Sequence, residues 1–185
     1  MYLIVGLGNP EEEYANTRHN MGFDAINKIS QKYNIDVNKR KFKGLYGTGI
    51  IDGKKVILLK PQTYMNSSGD SIIEVMDYYG IEPEDLIVIY DDMDIEKGTM
   101  KIRKKGGPGS HNGMKSVVEN LQTTNFARIR IGIGRPEHNQ DKINFVIGKL
   151  PKEEQKMLEV GVQKAAEAIP AILSEGIDNA MNRCN

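Results

Sequence analysis

The run Leu86-Ile87-Val88-Ile89-Tyr90 constrains this chain more than any other stretch. Consecutive apolar residues leave a strand no polar face, so it must be buried on both sides, the usual state of a strand in an α/β protein. A second such run, Tyr2 to Val5, opens the chain. Both end in polar residues. Asp91-Asp92-Met93-Asp94 follows one and Gly6-Leu7-Gly8-Asn9-Pro10 the other, with Thr17-Arg18-His19-Asn20 close behind. Open α/β sheets carry their sites at the carboxyl ends of strands, so these two stretches are where function is expected.

The remaining pattern fits that class. Asn20 stands as N-cap of a helix with Phe23, Ile26, Ile29 and Tyr33 on one side. Residues 44–51 and 54–60 form a hairpin through Asp52-Gly53, a strong two-residue turn signal. A loop from Lys60 to Asn66 leads to a helix with Ile72, Ile73, Met76 and Tyr79, ended by Gly80. Residues 99–103 form a strand that runs into basic residues, and 104–113 a flexible loop before a helix with Val117, Val118 and Leu121. Arg128 to Gly134 alternates with period two, one face basic and one apolar. Pro151, Glu153 and Glu154 start a last helix, which Pro170 interrupts and after which Gly176 loosens the next turn. With no linker, repeat or low-complexity tract, residues 1–185 form one domain of mixed α/β type.

Composition narrows the partners. Lys plus Arg and Asp plus Glu are 25 each, so a nucleic acid must be held by a local basic patch and not by a global field. The single cysteine, Cys184, sits in a tail expected to fray; it excludes an internal disulfide or zinc-knuckle framework and points to a reducing compartment. No membrane-length apolar run and no signal-peptide pattern is present, so a soluble cytoplasmic protein of monomer size is expected. Tryptophan is absent, which leaves base stacking to Tyr, Phe or Arg.

Several chemistries can be weighed residue by residue. Gly6-Leu7-Gly8 resembles the start of a dinucleotide loop, but Glu11 stands where the third glycine belongs and Pro10 removes an amide a phosphate would use. No nucleophile elbow surrounds Ser67, Ser68 or Ser110, which leaves water activated by a base. His19, at a helix start whose positive end keeps the ring neutral, is the candidate base; Asp91 is the carboxylate that would fix its tautomer. Asp91, Asp92 and Asp94 with His19 or His111 could instead hold a divalent ion, though no established metal spacing supports this. Asn9, Asn66 and Asn112 each stand where a strand or loop meets a helix, so capping competes with a role in orienting water, a carbonyl oxygen or a peptide backbone. Lys97, Lys101, Arg103, Lys104 and Lys105 are a solvated face or the edge of a groove. Arg128 and Arg130 facing Arg103 would make a phosphate clamp.

Taken in order, Gly-Leu-Gly-Asn-Pro with Tyr14 and Thr17-Arg18-His19-Asn20, Met65-Asn66-Ser67-Ser68-Gly69, Asp91-x-x-Asp94, Gly109-Ser110-His111-Asn112-Gly113 and Arg128 to Gly134 resemble the motifs of bacterial peptidyl-tRNA hydrolases over nearly the whole chain. The resemblance implies a single α/β domain with a twisted mixed sheet sandwiched between helices, monomeric, with no metal or other cofactor. It implies hydrolysis of the ester joining a peptide to the 3′ end of tRNA. Carried over by position, His19 and Asp91 are catalytic, Asn9, Asn66 and Asn112 are site asparagines, and Tyr14 and Met65 line the site. Arg103 and Arg130 match basic positions near the tRNA 5′-phosphate. The chain departs from relatives at Glu11, where they often have glycine, at Pro108 and Ser110 in a loop richer in glycine, and in the acidic run Glu11-Glu12-Glu13. The alternatives are a non-catalytic RNA-binding protein on the same scaffold, which would lack His19 or Asp91, and a metal-dependent phosphoesterase.

Overall fold

In a computed structural model that describes residues 1–137 and 141–185, the chain is one α/β domain built on a seven-stranded mixed sheet. The strands are β1 (Tyr2–Gly6), β2 (Lys39–Lys41), β3 (Gly44–Ile51), β4 (Lys54–Pro61), β5 (Leu86–Asp92), β6 (Met100–Arg103) and β7 (Ala127–Gly132). The helices are α1 (Met21–Tyr33), α2 (Ser68–Tyr79), α3 (Asn112–Leu121), α4 (Lys142–Ile147), α5 (Lys152–Glu175) and α6 (Ile177–Cys184). In spatial order the sheet runs β2-β3-β4-β1-β5-β7-β6. The four central strands β4, β1, β5 and β7 are parallel, and the antiparallel strands lie at the two edges.

The apolar runs pack in two directions because successive side chains on a strand point to opposite faces. Ile87 and Ile89 of β5 join Ile4, Ile129 and Ile131 under α1 and α5. Leu86, Val88 and Tyr90 join Leu3, Val5 and Ile57 under α2 and α3. This is the three-layer arrangement expected. The hairpin turns at Asp52 and Gly53, both with positive φ (49° and 77°), as a tight primed turn requires.

Two expectations for the C-terminal part are corrected. Pro170 does not interrupt its helix: α5 continues for 24 residues through it. The proline forgoes one intrahelical bond, while Ala165, Ala168, Ile169, Ala171 and Ile172 around it are buried and hold the helix in place. Nor does the tail fray. Cys184 lies in α6 and packs partly against the core, and the Asn185 side chain bonds both backbone groups of Ile102, accepting from its N–H at 2.7 Å and donating to its C=O at 2.9 Å. That amide takes the place of a further strand along the exposed edge of β6. The short strand β2 and the short helix α4 have no counterpart in the sequence pattern described above. The alternating strand begins at Ala127 and ends at Gly132, two residues before Gly134.

Candidate active site

The site forms where β1, β4 and β5 end. After β1 the chain turns through Gly8 and Asn9 and returns in a one-turn 3-10 helix, Arg18–Asn20, which leads into α1. Asn20, expected as a helix cap, makes no side-chain cap bond. Its amide instead spans the returning chain: Oδ1 accepts the Asn9 N–H at 2.7 Å and Nδ2 donates to the Asn9 carbonyl at 2.9 Å. Asn9 itself is buried, and its Oδ1 accepts the Met65 N–H at 2.7 Å. Its oxygen is therefore committed to the protein, and only its NH2 group is left as a donor. Gly22 lets α1 sit directly on the strands; a Cβ there would lie 2.4 Å from Leu7 N and 2.5 Å from Ile89 O. That close approach brings His19 to the end of β5.

At the end of β5, Asp91 is 2% exposed and accepts two imidazoles. His19 Nδ1 lies 2.8 Å from its Oδ2 and 3.0 Å from its Oδ1, and His111 Nε2 lies 3.0 Å from Oδ1. His111 Nδ1 accepts the Met114 N–H at 3.1 Å. An imidazole that accepts at Nδ1 carries its proton at Nε2, so His111 donates to Asp91. His19 likewise gives its Nδ1 proton to Asp91, which leaves Nε2 as a basic lone pair. Burial lowers the basicity of His19, but the Asp91 charge and hydrogen bond outweigh it and hold its pKa above the ordinary histidine value. Burial alone would raise the Asp91 pKa; the two histidines reverse this and hold the carboxyl well below the usual range.

His19, Asp91 and His111 are also the described residues that could together hold a metal ion, with ligand atoms within 4.8 Å of one another. Asp92 and Asp94, named with Asp91 in the metal alternative, are not part of this group. Nδ1 of His19 and both ring nitrogens of His111 are, however, spent on Asp91 and on the Met114 amide. His111, and not Asn112, caps α3. In the sequence His111 stands only as a possible metal ligand, and its contact with Asp91 is not expected there. The signal available was its place directly before a helix, next to Asn112.

A cleft of about 330 Å³ opens beside this cluster, lined by His19, Tyr90, Asp91, Asn112, Arg103 and Arg130, the 105–111 loop and Lys142, Ile143 and Val146 of α4. The cleft therefore brings together His19, Asp91, Asn112, Arg103 and Arg130, and Arg128 of the expected clamp also lines it. Asn9, Tyr14, Met65 and Asn66 are not among the described residues lining it. Met65 is buried in the core beneath α3, Asn66 is exposed in the 3-10 turn after β4, and Tyr14 is half-buried with its carbonyl accepting the Thr17 hydroxyl at 2.7 Å. The expected three-arginine clamp is corrected. Arg103 faces Arg128 across the β6–β7 ladder, but Arg128 is 1% exposed, stacks on the Phe126 ring at 4.2 Å and donates to the Thr124 carbonyl at 2.8 Å. Arg130 pairs with Asp92 at 2.8 Å. Arg103 is exposed at the end of β6. In the acidic run, Glu11 has φ 83°, a region that favours glycine, and accepts the Tyr64 hydroxyl across the loops carrying Asn9 and Met65.

The site thus joins a histidine held by a buried carboxylate to a cleft on an open α/β sheet whose lining mixes Arg103, Lys105, Arg130 and Lys142 with Asp92 and Asp94. A peptidyl-tRNA hydrolase family model matches residues 3–185. Curated peptidyl-tRNA hydrolases are similar over the whole chain: that of Clostridium botulinum (strain Eklund 17B / Type B) is 51% identical, covering 100% of this chain and 96% of its own length. That of Alkaliphilus metalliredigens is 52% identical, covering 100% of both. The crystal structure of peptidyl-tRNA hydrolase from Acinetobacter baumannii superposes with a TM-score of 0.94 at 39% identity, covering 100% of this chain and 94% of that one. A uridine phosphorylase from Vibrio fischeri shares the fold alone, with a TM-score of 0.53 at 12% identity. The chain belongs to the peptidyl-tRNA hydrolase family and is a hydrolase.

Proposed function

We propose that the chain hydrolyses the ester joining a peptide to the 3′ end of tRNA, with water as nucleophile, His19 as general base and Asp91 as the group that orients His19 and stabilises its protonated form. The observation carrying this reading is the His19–Asp91 contact at 2.8 Å, with Nε2 of His19 left as a basic lone pair. Water gives a proton to Nε2 as its oxygen attacks the ester carbonyl; the proton then passes to the departing 3′-oxygen. The 3′-oxygen is a better leaving group than an amine, so no covalent intermediate is needed. The Asn9 NH2 group or Asn66, with backbone amides, would stabilise the oxyanion, and one such donor is worth ~3 kcal/mol of barrier. Asn112, on the cleft, would order water or peptide, and Tyr14 and Met65 would support the wall that carries Asn9.

Arg103 and Arg130 would meet the phosphate backbone near the acceptor end and the tRNA 5′-phosphate. No described helix is long and apolar enough to cross a membrane. The test is release of peptide from purified peptidyl-tRNA by wild type and His19→Ala, with and without EDTA. Activity in wild type that resists EDTA and is lost in His19→Ala supports the reading. Full activity in His19→Ala, or loss to EDTA, overturns the mechanism.

A further inference from the structure

Arg18, the residue before His19, is 6% exposed, although an arginine is seldom buried without partners. Its partners come from two helices far along the chain. Nη1 donates to the Phe145 carbonyl of α4 at 3.0 Å, and the guanidinium lies over the Phe145 ring at 4.0 Å. Nη2 pairs with Glu154 in the first turn of α5. The second oxygen of Glu154 takes Lys97 at 2.6 Å, and Lys97 stands in the segment that follows Asp91 and leads into β6. One carboxylate thus receives a cation from each side of the His19–Asp91 couple. The same segment is tied by backbone: Thr17 bridges Lys149, and the Leu150 N–H donates to Asn16 at 3.3 Å. α4, held through Phe145, also presents Lys142, Ile143 and Val146 to the cleft.

We infer that Arg18 and Glu154 are positioning residues: together they fix the turn bearing His19 against Asp91 and lock that turn to the α4 wall of the cleft. A guanidinium is suited to this because it can donate to a carbonyl and a carboxylate at once while stacking on a ring; a lysine ammonium cannot do all three in that geometry. Neither residue touches the reacting atoms, so both act through His19. The groups facing His19 itself are Asp91 and His111. The inference rests on the general-base reading of His19, and its test is chosen to read His19 without turnover.

The test compares wild type, Arg18→Lys and Glu154→Gln by NMR titration of the His19 ring and by steady-state hydrolysis of peptidyl-tRNA. Loosening the turn lengthens the His19–Asp91 contact, so the His19 midpoint should fall by about one pH unit in both variants. The kcat should fall about tenfold with KM within about threefold, since transition-state stabilisation and not uniform binding is lost. In an Asp91→Asn background, where the contact no longer exists, Glu154→Gln should cost less than about twofold, because residues acting through one contact are not additive. A lower melting temperature with an unchanged His19 midpoint would mark a merely structural role and overturn the inference. If Arg18→Lys does not fold, Glu154→Gln alone decides, since the amide keeps the shape and one acceptor. If wild type releases no peptide, the functional proposal fails while the titration still decides this one.

Discussion

Replacing Asp91 by Asn is the most informative single change. The carboxylate accepts hydrogen bonds from two imidazoles, and His111 cannot change its tautomer without losing the Met114 amide bond. With its oxygen at the Oδ1 position to accept from His111, an asparagine places its NH2 group at the Oδ2 position, 2.8 Å from Nδ1 of His19. With His111 pinned, His19 must turn its Nδ1 into an acceptor and carry its proton on Nε2, the nitrogen that should take a proton from water. A wrong tautomer of this kind costs about 10⁴-fold in the serine protease triad; here, with no covalent step, we expect a loss of 10²–10⁴-fold, roughly 3–5 kcal/mol. The charge effect is separate. In wild type burial lowers the His19 pKa, and the Asp91 charge and hydrogen bond together outweigh it and raise the pKa above the ordinary value. Without them burial acts alone. Wild-type kcat/KM should therefore rise with pH to a plateau through an apparent pKa above ~6.5, and the variant through one below ~6.5 at a far lower plateau. The assay is initial-rate peptide release from pH 5 to 9 at fixed ionic strength. A variant within threefold of wild type, or one with an unchanged midpoint, would refute the argument.

Other consequences follow from the same geometry. The Asp91 pKa is lowered, so its contribution to stability is present above about pH 4 and lost as pH falls; the His19 pKa is raised, so its contribution is present below about pH 6.5 and lost as pH rises. Melting curves of wild type minus Asp91→Asn should thus show the couple at full strength between those limits, and a difference that grows above pH 8 would contradict this. Asp24 is pushed up to about 6, chiefly by burial against the pull of Lys28 and Lys60, so its ionisation opposes folding at neutral pH. Asp24→Asn should stabilise by roughly 1–2 kcal/mol at pH 7 and by little at pH 4, checked by denaturant titration. Gly22→Ala should destabilise by about 3 kcal/mol, because its Cβ would meet backbone atoms of Leu7 and Ile89 that cannot give way. Arg103→Ala should reduce the salt dependence of tRNA binding by about one phosphate contact. An unchanged slope would remove Arg103 from the interface.

The parts of this site legible in the sequence are those set by local pattern. The run ending at Tyr90 places Asp91 at a strand terminus, and the short return from Asn9 to His19 keeps both at one sheet edge. What was not legible depends on long-range packing. Period two puts Arg128 and Arg130 on one face, but only tertiary structure shows that Phe126 and the Thr124 carbonyl have taken Arg128 into the interior. Asn20 had the position of a cap, yet the demand of the returning loop for its amide prevailed. His111 and Asn112 are neighbours with exchanged parts: the histidine caps the helix and touches Asp91, while the asparagine meets the cleft. Arg18 gave no signal, because its partners lie more than a hundred residues away in α4 and α5. Glu11 shows the converse case. Its positive φ is a region glycine enters more readily, and the bond from Tyr64 holds the glutamate in that conformation.

In the proposed mechanism His19 acts in the chemical step and not in binding. The most direct measurement is the single-turnover rate of ester hydrolysis at saturating enzyme for wild type and His19→Ala, with tRNA affinity measured at the same salt. The rate is expected to be lower by about 10²–10⁴-fold with the dissociation constant within about threefold. A His19→Ala protein that hydrolyses peptidyl-tRNA within threefold of wild type, or whose loss of rate is matched by an equal loss of tRNA affinity, would contradict the mechanism.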